Sequence, residues 1–539
     1  MKYISLRSVC TDFAAVKTDV KDMAYYRRHI DSKLLEWKES ARRKPLLIRG
    51  ARQVGKTAAV RELGKTFKNF VEINLEKQPD LIQLFPTNID VKKTCEKLSG
   101  TLAVPIVPGE TLLFIDEIQA SKEAIMTLRY FKEDYPELHV IAAGSLLEFT
   151  LEELPSFGVG RIRSLYMYPF SFDEFLMAQG LDLLVDYKKK ATSQEPLTEK
   201  AHKDLVDQLR SFYLVGGMPA AVTEWIETHS YLEVAHAHVD ILDTYQDDFS
   251  KYKKRVQPVL LRQVLRSVAL QVGGKFVCAQ AARDVHSSVV KDALHLLTLA
   301  GLVTPVKQTD GTGVPLGAEE DDSYVNVSVK PDDQRELAHY GMARKRRMKS
   351  KYLFFDLGIM QTMLGIPSAD ILLASEVDFV NKGGASEMFA GLEMVKYSDC
   401  FQKAEMHYWQ NTAKGSNAEV DYLRVRDGKV LPVEVKASTQ GAMQSLWIFM
   451  RKRGLHEAVR TSLEPFGEFN YVDFRRDSAV SEQAHTALAA SEVDYVDPEA
   501  ENAVRHVEVV PLYALSNLCH TPEDYRNMIS KETMELMKR

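Results

Sequence analysis

Gly50 and the trio Gly55-Lys56-Thr57 stand in the spacing G-x-x-x-x-G-K-[ST], whose backbone N–H groups can wrap the phosphates of a nucleoside triphosphate. The apolar run Leu46-Leu47-Ile48 precedes the loop and a helical stretch follows from Ala58. The loop would therefore join a strand to a helix N-terminus, where the dipole and free amides favour anions. Gly50 and Gly55 permit close backbone approach, Lys56 would reach the β and γ oxygens, and Thr57 would offer its hydroxyl to Mg²⁺. The expected cradle comprises Gly50, Ala51, Arg52, Gln53, Val54, Gly55, Lys56, Thr57 and Ala58. Further along, "TLLFIDEIQ" (111–119) ends an apolar run in two carboxylates. A buried strand over Leu112–Ile115 would carry Asp116 to the carboxyl edge of a parallel sheet, where it can hold the Mg²⁺ water shell, and Glu117 would polarise the attacking water.

A second constellation lies in "SNAEVDYLRVRDGKVLPVEVKAS" (416–438), where two alternating runs flank Asp427-Gly428, a strong hairpin signal. Asp421 follows Glu419 by two residues, and Lys436 follows Glu434 by two, so the hairpin gathers Asp421, Glu434 and Lys436. Two carboxylates can bind Mg²⁺, and a lysine can orient water or stabilise charge at a phosphodiester. The arrangement resembles the active site of PD-(D/E)xK phosphodiesterases. Those enzymes add a glutamate from a preceding helix, the place of Glu387 in "GGASEMFAGLEMVKY", and Gln440 or Gln444 would be the accessory polar residue. A salt-bridged structural hairpin would show the same three residue types, and fold similarity alone does not establish cleavage.

These residues need elements to position them. A chain of 539 residues exceeds one ordinary core and implies several domains. With 45% hydrophobic and 27% charged residues it reads as globular. A net charge of −6 argues against a uniformly basic nucleic-acid coat while leaving a local patch open. The five cysteines are scattered, without a C-x-x-C pair, so neither a zinc site nor a disulfide framework is expected. No apolar run reaches a membrane-spanning length and no long apolar leader opens the chain, so a cytoplasmic protein without membrane contact is expected.

The strands anticipated for the first domain are 46–48, 70–76, 112–115, 138–143 and 162–167. Two successive helices and a strand within 258–306 suit a winged helix, which serves either DNA binding or spacing. "ARKRRMKSK" (343–351) places six basic residues in nine; it reads as a solvated loop or as a phosphate-tracking patch.

"GARQVGKT", "LLFIDEIQ", "AAGSLLE", "GRIRSLYMYPFSFDEFL", "GGMPAAV", "KYLFFDLGIM" and "EVDYLRV…LPVEVKAS" together resemble a prokaryotic family of AAA-type (AAA+) P-loop ATPases. Its members carry a C-terminal domain of unknown function related to PD-(D/E)xK nucleases. The resemblance implies an ATPase. The reading taken from the residues is Mg²⁺-dependent hydrolysis of ATP by a homo-oligomer that binds or remodels DNA or another nucleic acid, the alternative being a nucleotide-gated switch or a remodeller of protein partners. The resemblance also places Ser145, otherwise a turn serine, at a sensor position beside the γ-phosphate. Arg161, otherwise a surface arginine, becomes a residue reaching a neighbouring subunit's nucleotide, with Arg163 a weaker alternative.

The expected architecture is α/β and multidomain. A helical lead-in over 1–40 precedes the P-loop core over 41–180, a helical lid or linker over 181–255 and a winged helix over 256–310. A charged insertion over 311–350 and a nuclease-like α/β domain over 351–539 complete it. Insertions at 310–350 and 460–500 set the chain apart from simpler members.

Overall fold

The computed structural model describes residues 25–85, 90–153, 160–252, 255–317, 350–372, 384–411, 416–436, 443–472 and 504–519. After helix α1 (His29–Glu39) come β1 (Leu46–Arg49), α2 (Lys56–Gly64), β2 (Asn69–Asn74), α3 (Val91–Leu102), β3 (Thr111–Asp116), α4 (Lys122–Asp134), β4 (His139–Ala143), α5 (Leu147–Glu152) and β5 (Arg163–Tyr166). The five strands form one parallel sheet in the order β2-β3-β4-β1-β5. Every residue of β3 and β4 is buried, as required of a sheet covered on both faces, and this is why these strands read as unbroken apolar runs. Side chains alternate between two cores: Leu112 and Phe114 enter one, Leu113 and Ile115 the other.

A helical section follows: α6 (Phe172–Ala178), α7 (Asp182–Lys190), α8 (Glu199–Val215), α9 (Pro219–Thr228) and α10 (Tyr231–Asp248). Ser171 and Glu174 make a capping box at the start of α6, each side chain bonding the other residue's backbone N–H. A break at Gly216-Gly217 separates α8 from α9. Gly216 has φ +68°, and a Cβ there would meet the Asp356 carboxylate at 2.2 Å.

Next come α11 (Pro258–Leu270), α12 (Cys278–Ala281) and α13 (Ser287–Leu299), with β6 (Val303–Gln308) antiparallel to β7 (Lys351–Phe354). Lys275, between α11 and α12, makes an antiparallel bridge to Lys351. Helices α14 (Leu357–Leu364), α15 (Ser368–Leu372) and α16 (Ala385–Lys396) lead to a meander of β8 (Met406–Gln410), β9 (Glu419–Arg426) and β10 (Lys429–Val435). Then come α17 (Gln444–Arg453), β11 (Glu457–Ser462), β12 (Gly467–Val472) and β13 (Val504–Pro511), with β11 parallel to β10. The β9–β10 turn is Asp427-Gly428, both at positive φ (52° and 72°), the type I′ geometry that twists with its strands.

One eight-stranded sheet, β12-β13-β11-β10-β9-β8-β6-β7, runs through the whole second half, because β6 pairs with β8 as well as with β7. The expected boundaries at 310 and 351 thus fall between paired strands. Lys351 departs from the solvated-loop expectation for the basic block: it opens β7 with its side chain 4% exposed. Residues 343–349 and most of the 460–500 insertion lie outside the described residues. The four described cysteines are free, and among the described residues no helix is long and apolar enough to cross a membrane.

Candidate functional site

The loop after β1 is built by its backbone. Gly50 (φ +144°), Gln53 (φ +62°) and Gly55 (φ +98°) take conformations that turn it tightly onto α2. A Cβ on Gly50 would meet the Met167 carbonyl oxygen at 2.1 Å, so that position admits only glycine. The N-terminus of α2 has no side-chain cap and no acidic residue in its first turn, leaving its amides available to an anion.

Lys56 is buried, and its ammonium donates to the carbonyls of Gly50 (2.9 Å) and Ala51 (2.7 Å). Burial lowers its pKa to about 8, with Glu117 and Asp116 pulling the other way. Thr57 Oγ1 donates to Asp116 Oδ2 at 3.0 Å, so loop and β3 tip meet at one carboxylate, which Asn74 also approaches. Burial, then the neighbouring Glu117, raises the pKa of Asp116. Glu117 sits at φ +49° and its Oε2 accepts from Ser145 Oγ (3.0 Å) and Gln119 Nε2 (2.5 Å).

The uncapped helix end and the buried ammonium over bare carbonyls fit a triphosphate, and the paired Thr57 and Asp116 oxygens fit a hard divalent cation. Lys56, Thr57, Asp116, Glu117 and Ser145 therefore meet at one sheet edge. Arg161 does not join them: half exposed, it pairs with Glu133 of α4. Arg163 stacks on Phe401, 4.9 Å from the ring centroid.

Several supports of the loop escaped sequence reading. Arg28 is buried and donates to Val54 O (3.0 Å), Tyr168 O (2.8 Å) and Glu174 Oε1 (3.0 Å), tying the chain before α1 beneath the loop. Arg52 is held by both oxygens of Asp248 at 2.8 Å, and Tyr245 OH donates to Arg52 O at 2.5 Å, so the end of α10 grips the loop. Gly301 (φ +74°) presses on Ala51, where a Cβ would meet the backbone nitrogen at 3.2 Å. A cavity of about 220 Å³ lies alongside, between the loop, β6 and α16. Nothing in local spacing announces contacts of such sequence separation.

The hairpin gathers its residues as expected, with added partners. Val433 pairs with Tyr422, which sets Glu434 beside Asp421, and Asp421 Oδ2 accepts the Val435 N–H at 2.9 Å. Glu434 is 2% exposed and pairs through Oε1 with Lys436 at 2.7 Å. Glu387, on α16, pairs with Lys351 at 2.8 Å, and Tyr422 OH donates to the Glu387 carbonyl at 2.7 Å. Burial first and the Asp421 charge second push both Glu387 and Glu434 up to about 8, and burial also raises Asp421. Among the described residues no group of three or more His, Cys, Asp or Glu side chains stands ready as a metal-ligand set. Lys351 pairs with Glu387 and Glu419, and Lys436 with Glu434. Gln444 opens α17 exposed to solvent, and Gln440 lies outside the described residues.

Three family models match the chain. Residues 42–176 match an AAA domain, 206–324 a domain of unknown function (DUF8612) and 382–465 a domain of unknown function (DUF4143). The first segment is thus a P-loop AAA-type domain, in agreement with its parallel sheet. No curated protein matches the chain. Among solved structures, the RuvB Holliday junction branch migration motor of Thermotoga maritima is 16% identical, over 51% of this chain and 88% of its own, with a TM-score of 0.22. The S. cerevisiae Hsp104–ADP complex is 14% identical, over 51% of this chain and 38% of its own, with a TM-score of 0.25.

Proposed function

We propose that the chain is a Mg²⁺-dependent ATPase that couples ATP hydrolysis to binding or remodelling of nucleic acid. The observation that carries this reading is the convergence of Lys56, Thr57, Asp116, Glu117 and Ser145 at one sheet edge within an AAA-type domain. Lys56 would leave the Gly50 and Ala51 carbonyls for the phosphates, and Thr57 and Asp116 would hold Mg²⁺, which supplies charge neutralisation to the transferring phosphoryl group. Glu117 would orient the attacking water, with Ser145 as the positioning residue that holds its carboxylate.

The three helices and the β6–β7 pair of the middle region are read as a winged helix, the element that would meet nucleic acid. The order helix, three-stranded meander, helix, parallel strand around Asp421, Glu434 and Lys436 supports a PD-(D/E)xK nuclease-like domain with a phosphodiesterase site. Assembly into a homo-oligomer would bring Arg161 to a neighbouring nucleotide once it leaves Glu133.

The test compares ATP hydrolysis without DNA and with duplex, single-stranded and branched DNA, using wild type and Lys56→Ala. DNA-stimulated turnover absent from Lys56→Ala is expected. Turnover indifferent to every DNA would remove the nucleic-acid coupling. A specific activity that rises with protein concentration in wild type but stays flat and low in Arg161→Ala would support the arginine's role across subunits.

The second reading is a nucleotide-gated switch, or a remodeller of protein partners, whose C-terminal domain binds or assembles without cutting. What favours it is the occupation of Glu387 and Glu434 by lysines. Metal-dependent cleavage of DNA by wild type and not by Asp421→Ala would exclude it.

A further inference from the structure

The cavity of about 220 Å³ beside the phosphate loop is walled by Gly50, Ala51 and Ser145 on one side and by β6 and α16 on the other. Its lining is mainly apolar: Leu147, Val303, Phe355, Leu392, Val395 and Met406 are all buried side chains that border it. Two charged groups of the inner wall are already neutralised. Glu148 pairs with Arg49, while Lys396 pairs with Glu393 at 3.1 Å and donates to the Phe170 carbonyl at 2.9 Å. A molecule seated here meets apolar surface and balanced charge, so the part of it that enters must be apolar.

The cavity has a polar neighbour. Tyr166 and Lys403 line it and also line an open groove beside the edge strand β5, to which Lys44, Arg163 and Asp399 contribute. Tyr166 N donates to Cys400 O at 2.7 Å, which fastens the 399–406 segment along β5 and makes the two spaces adjoin.

The groove carries a surplus of positive charge. Lys44, Arg163 and Lys403 meet a single carboxylate, that of Asp399, and none of the three cations has an ion-pair partner among the described residues. Lys307 and Glu405, both exposed on the cavity lining, add one charge of each sign and leave the surplus unchanged. Arg163 lies 4.9 Å from the Phe401 ring centroid, a contact that keeps its guanidinium on the groove wall.

An apolar cavity adjoining a cationic groove fits a ligand with an apolar body and an anionic head. Size limits the body. A cavity of about 150 Å³ holds benzene, so one of about 220 Å³ takes a body of about two fused rings.

We propose that cavity and groove form one binding site for a small aromatic anion, its rings between the phosphate loop and α16 and its head among Lys403, Arg163 and Lys44. Lys56, Thr57, Asp116 and Glu117 do not line the cavity, so this site is separate from the one that would take ATP and Mg²⁺. Binding here requires neither hydrolysis nor cleavage, and the inference therefore goes beyond the proposed function.

The experiment titrates naphthoate, and separately the uncharged naphthylmethanol, into the full chain without nucleotide, by calorimetry. Wild type should bind one naphthoate with a Kd below about 1 mM, and naphthylmethanol more weakly. Lys403→Glu, at an exposed position, should weaken naphthoate about tenfold or more and leave naphthylmethanol unchanged. Val395→Trp fills the cavity and should abolish binding of both. No binding of naphthoate by wild type at millimolar concentration, equal affinity for the two probes, or a naphthoate affinity that either variant leaves intact overturns the proposal.

Overpacking by Val395→Trp can prevent folding. Hydrogen exchange on the wild type then decides the location: naphthoate should slow exchange at 50–51 and 392–396, and unchanged exchange there overturns the proposal. Strict competition between naphthoate and a non-hydrolysable ATP analogue also overturns it, because the cavity would then belong to the nucleotide site. The two readings fail separately, since naphthoate binding needs no nucleotide and survives a chain that hydrolyses none.

Discussion

Raising the pH should weaken ATP binding while stabilising the nucleotide-free protein, and both effects trace to Lys56. Its ammonium is buried against two carbonyls, and its pKa falls from 10.5 to about 8. Desolvation of the charged form is the leading cause, and the drop corresponds to roughly 3 kcal/mol. Between these two values the unfolded chain keeps the Lys56 proton and the folded chain has lost it. Stability therefore rises with pH across that window, by about 1.4 kcal/mol per unit at most, and is level with respect to Lys56 below it.

Binding reverses the balance, because phosphate oxygens favour the ammonium and return its pKa toward the ordinary value. Below about pH 8 affinity should be flat, and above it each unit should cost about tenfold in Kd. A fluorescent ATP analogue titrated with Mg²⁺ between about pH 7 and pH 9.5 measures the slope. Denaturant unfolding of wild type and Lys56→Met over the same range isolates the Lys56 contribution to stability. An affinity that stays flat to the upper end, or a stability difference between the two proteins that does not change with pH, would refute the reasoning.

Glu117→Gln should keep ATP affinity and lose on the order of a hundredfold or more in phosphate release. Ser145→Ala, which removes the 3.0 Å donor to Glu117, should lose less, about tenfold; full turnover in either variant would strike that residue from its role. Gly301→Ala must hold an alanine at φ +74° and push a Cβ onto Ala51. It should destabilise by about 1–2 kcal/mol and raise KM for ATP, and an unchanged KM would show that the turn does not shape the loop. Asp356 is buried and accepts from Gly217 N (2.7 Å) and Ile359 N (3.0 Å), joining the helical section to α14. Asp356→Ala should lower stability by about 1–3 kcal/mol in chemical denaturation, and wild-type stability would contradict that tie.

The phosphate loop was legible from the chain alone because it is contiguous: two glycines, a lysine and a threonine at fixed spacing determine a backbone path whatever surrounds them. The same holds for strands β1, β3 and β4, whose apolar runs follow from burial on both sheet faces, and for the Asp427-Gly428 hairpin, whose two positive φ angles select those residues. The faces of β9 and β10 followed from a period of two. Tertiary structure alone decided what stands opposite these motifs. Lys351 reads as the end of a basic block, yet it is buried between Glu387 and Glu419 because β6 pairs on both sides and draws β7 into the large sheet. Gly301 on Ala51, Asp248 on Arg52 and Arg28 under Val54 are likewise meetings of distant segments. Local spacing encodes the conformation of a segment and the face it presents, whereas the charge that meets that face depends on how separate elements pack, and that is settled by the whole chain at once.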